Sequence, residues 1–373
     1  MSYRTQLFRT ENPYDLPSTE ALFFRAMKEN CIFHYEHCGE YRKILDSRGF
    51  SPADMNGYEG LCRLPFLPTL LFKKHELYSL PSRRMLIQAT SSGTSGMASR
   101  IGFETSGLWC GLQMVLKIIR RRRLLSPRPA HYMILGYQPS KGNETAVTKT
   151  AFGATLFAPA LGRTYALRKK DGQYKADLEG VLEAIVKRSR TSSPVRFMGF
   201  PSYTYFLLRL MEQRGVRVTC APGSKIMLGG GWKQFYAEQV DKRELYSMAA
   251  DRLGIGEEDI VEFYGAVEHP ILYCDCIHHH FHVPVYSRVI IRDVHSLEPV
   301  KNGTPGLVNL LTPMVKATPI LSVMTDDLGV LHEGGECGCG NPSPYLEILG
   351  RIGLRDIKTC AAGAAEILKG VGL

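Results

Sequence analysis

No run of apolar residues in this chain reaches the length of a membrane span. The N-terminus, Met1-Ser-Tyr-Arg-Thr-Gln-Leu-Phe-Arg9, lacks the apolar stretch that opens a secretory signal. Both absences lead to the expectation of a cytoplasmic protein with no membrane partner. No internal repeat and no low-complexity segment occurs. A net charge of +10 comes without any helix-turn-helix or RNA-binding signature, so no nucleic-acid partner is expected. Much of that charge is clustered, as in Arg120-Arg-Arg-Arg123 after a helical segment. The cluster reads as a solvated helix end favoured by the helix dipole, or as a contact for an acidic partner protein. What is present is a globular composition, 44% hydrophobic and 22% charged over 373 residues, enough for one large or two ordinary domains.

The most informative stretch is Thr90-Ser91-Ser92-Gly93-Thr94-Ser95-Gly96, five hydroxyl residues and two glycines in seven positions. Glycines let the backbone take positive φ and approach a ligand closely. Successive N–H groups in such a turn form a nest for an anion, and the hydroxyls add uncharged donors. The loop suits polyphosphate, yet it is no Walker loop, because no Gly-Lys-Ser/Thr follows. Taken alone, it fits a flexible Ser/Gly linker equally well; the rest of the chain decides.

Ten cysteines are unevenly placed. Cys31, Cys38, Cys62, Cys110 and Cys220 are scattered and read as small buried apolar residues. Cys274/Cys276 and Cys337/Cys339 form two Cys-x-Cys pairs, a pattern that in a reducing compartment points to metal rather than disulfides. The first pair runs into His278-His279-His280-Phe-His282, and the second lies about sixty residues on, with glycines that expose N–H groups to sulfur. Two such clusters close a tetrahedral structural Zn2+ site. The favoured ligands are Cys276, His282, Cys337 and Cys339, with Cys274 or His280 as a substitute. The competing reading is a set of free thiols.

Organisation along the chain is α/β. Residues 1–60 read as a helical lead-in, with a helix around Ser18–Asn30. Strands are expected at His131–Gly136, Val195–Phe200, Lys225–Leu228 and Ile260–Phe263. Helices are expected between them, from the spacing of Leu178, Val181, Leu182, Ile185 and Val186 and over Tyr203–Arg214. This order argues for a mainly parallel sheet, with ligands beyond the carboxyl ends of its strands. Phe200–Ser202, Gly229–Gly231 and the turn at Tyr264-Gly265 lie at such ends. After residue 284 the pattern changes to strands at Ser287–Asp293, Gly306–Leu311 and Ile320–Met324. The expected division is an α/β core over 1–284, a β-rich subdomain with a zinc knuckle over 285–350, and a short tail over 351–373 containing a short helix from Ala361.

Five signals occur in fixed order: the loop 90–96, Gly229-Gly230-Gly231, Tyr264-Gly265-Ala-Val-Glu268, Thr325-Asp326-Asp327-Leu-Gly329, and Gly350-Arg351. This order resembles the adenylate-forming enzyme superfamily, in which a carboxylate attacks the α-phosphate of ATP to give an acyl-adenylate. The resemblance implies that the loop holds the β- and γ-phosphates and that the glycine-rich strand end packs on adenine. It also implies that Tyr264-Gly265 contacts adenine or the α-phosphate, that Glu268 binds Mg2+, and that Asp327 holds the ribose hydroxyls. Chemically, a carboxylate beside a triphosphate needs a cation between them, and a carboxylate accepts two hydroxyl hydrogen bonds. Singly, Glu268 and Asp327 read as a salt-bridged residue and a turn residue.

Two departures stand out. The loop continues Met97-Ala98-Ser99-Arg100 where the superfamily has Pro-Lys. Only 22 residues follow Arg351, whereas the superfamily's mobile C-terminal domain is roughly a hundred residues, well above the floor for a domain. The expectation is therefore a large N-terminal domain without the mobile domain and its adenylation lysine, unless Lys233 or Lys358 substitutes. With Gly229-Gly-Gly-Trp-Lys233 and Lys358-Thr-Cys360-Ala, this narrows the resemblance to the acyl-protein synthetases (long-chain fatty acid–protein ligases) of the bacterial luminescence operon. That resemblance implies activation of a long-chain fatty acid as acyl-AMP and transfer to the enzyme's own cysteine, here Cys360. The acyl group then passes to a partner fatty-acid reductase in a hetero-oligomeric complex. Cys360 follows Lys358 and precedes a short helix, a setting that favours thiolate; the alternative is an incidental thiol. Two other readings stay open: a truncated acyl- or aryl-CoA ligase like phenylacetate-CoA ligase, and a non-catalytic subunit that binds nucleotide or acyl groups.

Overall fold

The computed structural model describes residues 1–90, 98–140, 151–170, 173–232, 235 and 239–351. The chain forms two compact units, Met1–Ile118 with Gly265–Leu373, and Ile119–Tyr264. Its N-terminal part is helical: α1 (Tyr3–Arg9), α2 (Leu16–His37), α3 (Gly39–Ser47) and α4 (Gly57–Arg63). A two-residue strand β1 (Leu67–Pro68), α5 (Thr69–Lys74), the hairpin strands β2 (Ile87–Thr90) and β3 (Arg100–Phe103), and α6 (Thr105–Arg121) follow. The helix expected around 18–30 is the long α2. Asp15 caps it by accepting from the Ser18 N–H, and Thr19, Phe23, Ala26, Met27, Asn30 and His34 form its buried stripe at helical spacing.

The second unit holds β4 (Ala130–Tyr137), β5 (Ala160–Lys170), β6 (Gln173–Ala176), α7 (Leu178–Ser189), β7 (Val195–Gly199), α8 (Pro201–Gln213), β8 (Lys225–Gly229), α9 (Lys242–Leu253) and β9 (Ile260–Ala266). Strand order is β9-β8-β7-β4-β5-β6, parallel except for β6, which returns antiparallel on β5. Strand alternation sends Met133, Leu135, Phe197, Ile226 and Leu228 into the core with α7, α8 and α9. Tyr132, Ile134, Met198 and Met227 pack in a second cluster with Ala151 and Ala154. A strand covered on both faces must be apolar at nearly every position, which is why β4, β7 and β8 read as short continuous runs. Gly254, at φ +65°, ends α9 in the left-handed conformation.

The chain then returns to the first unit as β10 (His269–Cys274), β11 (Phe281–His282), β12 (Arg288–Arg292), β13 (Gly306–Leu311), β14 (Ser322–His332) and β15 (Tyr345–Arg351). An antiparallel sheet runs β11-β15-β14-β13-β12, with β1 parallel to β14 through Leu67↔Val323 and Pro68↔Met324. Strands were expected at three of these places; β14 runs further, through Thr325-Asp326-Asp327 to His332. Likewise Tyr264-Gly265, expected as a turn, lies inside β9, and the turn falls at Val267-Glu268.

Buried polar contacts tie the N-terminal helices into this unit. Asn30 donates its side-chain amide to the carbonyls of Pro313 (3.1 Å) and Val315 (2.8 Å). Arg4 pairs with Glu104 at 2.7 Å, and the Glu104 carboxylate also accepts the Lys316 and Ala317 N–H groups. Burial works to raise the Glu104 carboxyl, but Arg4 and the backbone donors outweigh it and hold it below its ordinary value. Arg292 donates to Asn309 Oδ1 and to the carbonyls of Leu297 and Cys62. Among the described residues, no helix is long and apolar enough to cross a membrane.

Candidate functional site

In the second unit the parallel strands end together. Leu135 registers with Gly199, Gly199 with Leu228, and Gly229 with Phe263. The predicted Gly229–Gly231 and Tyr264 therefore share one sheet edge with Phe200–Ser202, the carboxyl edge where ligands bind in such folds. Gly199 permits the close strand approach there, since a Cβ would fall 2.2 Å from the Leu135 carbonyl oxygen. Gly230 and Gly231 have φ of +82° and +64°, backbone that other residues rarely adopt, and they turn the chain off the strand end. Beside it stands an aromatic group. Phe200 lies 6.2 Å from Tyr203, and Phe235 packs edge-on to Tyr203 (5.9 Å) and Phe206 (4.9 Å). Trp232 packs on Tyr205 at 5.7 Å.

In the first unit, Glu268 occupies the turn after β9 and is 5% exposed. No hydrogen bond or ion pair reaches its carboxylate among the described residues. A carboxylate that no protein donor engages is free to take a hard cation. The next residue anchors the turn: His269 Nε2 lies 3.1 Å from Ser287 Oγ, which accepts from the Tyr273 hydroxyl (2.7 Å) and donates to the Leu311 carbonyl (2.9 Å). Burial pulls His269 down to about 3, so it is neutral at physiological pH. On β14, Thr325 donates to the Val308 carbonyl (3.1 Å) and accepts the Asp327 N–H (3.2 Å). Asp326 accepts from Thr69 (3.3 Å) and from Arg351 (3.4 Å). Asp327 is the register partner of Arg351 across β14 and β15. Thr69 had no signal in the sequence, being 257 positions from its partner. Thr90 ends β2 opposite Arg100, and Arg100 pairs with Glu76. Ser91, Ser92, Gly93, Thr94, Ser95, Gly96, Lys233, Lys358 and Cys360 lie outside the described residues.

The predicted metal ligands form the best-defined constellation. Ligand atoms of Cys276, His282, Cys337 and Cys339 all lie within 4.8 Å of one another. Cys276 Sγ is 3.5 Å from Cys337 Sγ, and Cys339 Sγ is 3.2 Å from His282 Nε2. His282 Nδ1–H donates to the Ser343 carbonyl at 2.6 Å. That bond fixes the tautomer and leaves Nε2 with its lone pair toward the sulfurs, as a metal ligand requires. The His278 N–H donates to Cys276 Sγ (3.3 Å), and the backbone of Cys339 donates to Cys337 Sγ. Gly338 and Gly340, at φ +72° and +80°, allow the tight knuckle around Cys339. The donor set, three sulfurs and one imidazole with N–H groups on the sulfurs, fits tetrahedral zinc. Cys274 is buried on β10 and is not one of the four. His280 sits against the cluster, 3.1 Å from Cys337 Sγ and stacked on Tyr345 at 4.2 Å. His278, which donates to the Cys337 carbonyl at 2.6 Å, was missed as a supporting residue; the unbroken histidine run was its only signal.

The parallel α/β unit, the antiparallel sheet and the glycine-marked strand ends define an adenylate-forming ligase fold. A solved structure of 2-hydroxyisobutyryl-CoA ligase in the postadenylation state with 2-HIB-AMP superposes with a TM-score of 0.67 at 14% identity, over 92% of this chain and 70% of that one. The chain belongs to the acyl-protein synthetase (LuxE) family, whose model matches residues 7–369. Its relatives include the long-chain-fatty-acid–luciferin-component ligases of Aliivibrio fischeri (23% identical, covering 92% of this chain and 88% of that protein) and Vibrio harveyi (23%, 96% and 91%). The chain is thus a ligase of the acyl-protein synthetase type.

Proposed function

We propose that this ligase activates a long-chain fatty acid with ATP and Mg2+ and passes the acyl group through its own Cys360 to a partner fatty-acid reductase. The observation that carries the reading is the match of nearly the whole chain to acyl-protein synthetases, two of them named as long-chain fatty-acid ligases. The Glu268 carboxylate, with no protein donor among the described residues, supports its assignment as the Mg2+ ligand. In the first step a fatty-acid carboxylate oxygen attacks the α-phosphorus and pyrophosphate leaves. In the second the Cys360 thiolate attacks the acyl carbon and AMP leaves, giving a thioester. Thr90–Gly96 donate to the β- and γ-phosphates, Gly229–Gly231 with Tyr264 and Gly265 border adenine, Asp327 takes the ribose hydroxyls, and Arg351 lies beside it in register. Phe200, Tyr203 and Trp232 line the acyl chain. Cys276, His282, Cys337 and Cys339 hold a structural Zn2+ that fixes β11 against the 337–340 turn and takes no part in the chemistry.

The test is incubation with ATP, Mg2+ and radiolabelled tetradecanoate, followed by a denaturing gel, for wild type and Cys360→Ser. Hydroxylamine-labile label on wild type alone is the expected result. Label on neither, with ATP–pyrophosphate exchange intact and acyl-CoA formed when CoA is added, would replace the protein-acylation reading with that of a CoA ligase. Absence of exchange with every carboxylate tried would leave a binding subunit.

A further inference from the structure

The second unit carries a groove on the sheet edge opposite its glycine-marked ends. It measures about 430 Å3 and lies where β4 and β5 begin, lined by Leu125, Pro127, Leu156, Phe157, Ala160 and Arg163 among others. Its walls are fixed by hydrogen bonds. Ser126 N–H donates to the Phe157 carbonyl (2.9 Å), Ala130 N–H to the Pro159 carbonyl (2.9 Å), and Tyr132 OH accepts from Ala158 N–H (3.0 Å). Arg163 donates to Thr155 Oγ1 (2.9 Å) and lies 5.1 Å over the Phe152 ring.

Two observations make this more than a surface crease. Leu125, Phe152, Leu156 and Leu161 are 37%, 43%, 69% and 52% exposed, and they are all the exposed large apolar side chains described in this unit. Scattered single residues of this kind need no explanation, whereas their collection on two adjoining segments marks a recognition surface. The charge around them has one sign. Over 119–140 and 151–163, the described segments that reach the groove, the charged residues are Arg120–Arg123, Arg128 and Arg163, with neither Asp nor Glu. Arg122 is engaged with the Ile260 carbonyl, and Arg128 with the Pro222 and Ser192 carbonyls. The acidic run Glu257–Asp259 precedes β9, three strands from β4.

We propose that this groove docks an acidic segment of a partner protein that seats one or two apolar side chains between Leu125 and Leu156 and sets its carboxylates against Arg163 and the neighbouring arginines. Charge complementarity selects the occupant: a second copy of this chain would bring a like-charged face, which repels. The concave, rigid form suits a protruding side chain, and a preformed wall keeps the ordering cost of binding low. Because the groove opens at the amino ends of the parallel strands, a docked partner leaves the carboxyl edge with Gly229–Gly231 and Tyr264 uncovered.

The experiment is selection of a random peptide library displayed on phage against the full-length chain and against Leu156→Asp and Arg163→Glu variants. ATP–pyrophosphate exchange and thermal unfolding are measured on each protein. The expected result is enrichment of peptides joining Leu or Phe to Asp or Glu. Their affinity for each variant should fall about tenfold or more, as for loss of an interface anchor, with thermal unfolding unchanged. Exchange is a separate readout: its presence or absence in all three proteins tests the proposed activity, not the groove. Enrichment of basic peptides, binding equal on wild type and variants, or no enrichment overturns the proposal. So does stronger binding to anionic phosphatidylglycerol vesicles that both variants lose, which would assign the surface to a membrane.

Discussion

Acidification tests the burial of His34. Its Nε2–H donates to the Val315 carbonyl at 3.1 Å, and Ser79 Oγ lies 2.7 Å from Nδ1. Burial, with Lys316 and Arg4 nearby, pulls the imidazole from 6.5 to about 3, against a smaller opposing effect of the Val315 carbonyl. The native state therefore stays neutral where the unfolded chain takes up a proton. A group lowered on folding stabilises fully above its unfolded value, and that stability drains away as pH falls toward the folded one. At about pH 5 the unfolded imidazole has moved about 1.5 units into its protonated range, which removes about 2 kcal/mol of stability relative to about pH 8. That is a large share of the ~5–15 kcal/mol typical of a folded protein. Urea unfolding of wild type and His34→Gln across this range is the assay, with the urea dependence checked for constancy. The variant starts less stable at neutral pH and shows a slope smaller by about 2 kcal/mol over the interval. Carboxylates titrate lower and do not mask the effect. Equal slopes in the two proteins, or a His34 imidazole NMR resonance, assigned by its loss in His34→Gln, that titrates near 6.5, would refute the reasoning.

Glu268→Gln is expected to lower pyrophosphate exchange by about a hundredfold or more, as for loss of a charge partner in the transition state, with unfolding unchanged; near-wild-type exchange would remove Glu268 from the metal site. The purified chain should release about one equivalent of zinc to a chromogenic chelator after thiol modification. Cys337→Ser should release none and unfold at lower temperature, while full metal content in that variant would exclude the Cys/His cluster as the site. Glu104→Ala leaves Arg4 buried without its carboxylate and should cost about 3–5 kcal/mol, read by urea unfolding. Replacing both residues with apolar ones should recover much of the loss, and a cost below about 1 kcal/mol, the level of an exposed pair, would place this pair at the surface.

How much was legible depended on what holds each segment. β4, β7 and β8 were readable because burial on both faces demands apolar runs, and α2, α7 and α8 because one face is buried at helical spacing. β5 and β6 were not, since Ala160–Lys170 mixes small, apolar and charged residues and is held by its neighbours rather than by a pattern of its own. Tyr264-Gly265 and Thr325-Asp327 looked like turns from their composition. The ladders beside them, Gly229↔Phe263 and Asp327↔Arg351, hold both as strand. Cysteine spacing pointed to the cluster that the fold brings within ligand distance. Its supports, the Ser343 carbonyl on His282 and the His278 N–H on Cys276, come from backbone geometry that no composition encodes.

The bonds from Asn30 to Pro313 and Val315 also set a clock on synthesis. Residues 119–264 are contiguous, and β4 to β9 within them find one another early, whereas α2 waits for carbonyls 283 and 285 positions later. At roughly 5–20 residues per second on the ribosome, that wait is on the order of 15–60 s. During it the side chains of Asn30 and His34 lack the Pro313 and Val315 carbonyls that receive them. A nascent chain halted before residue 313 should therefore hold a protease-resistant middle and a protease-sensitive front. Chaperone demand should peak late in translation, when the first helices gain their last partners.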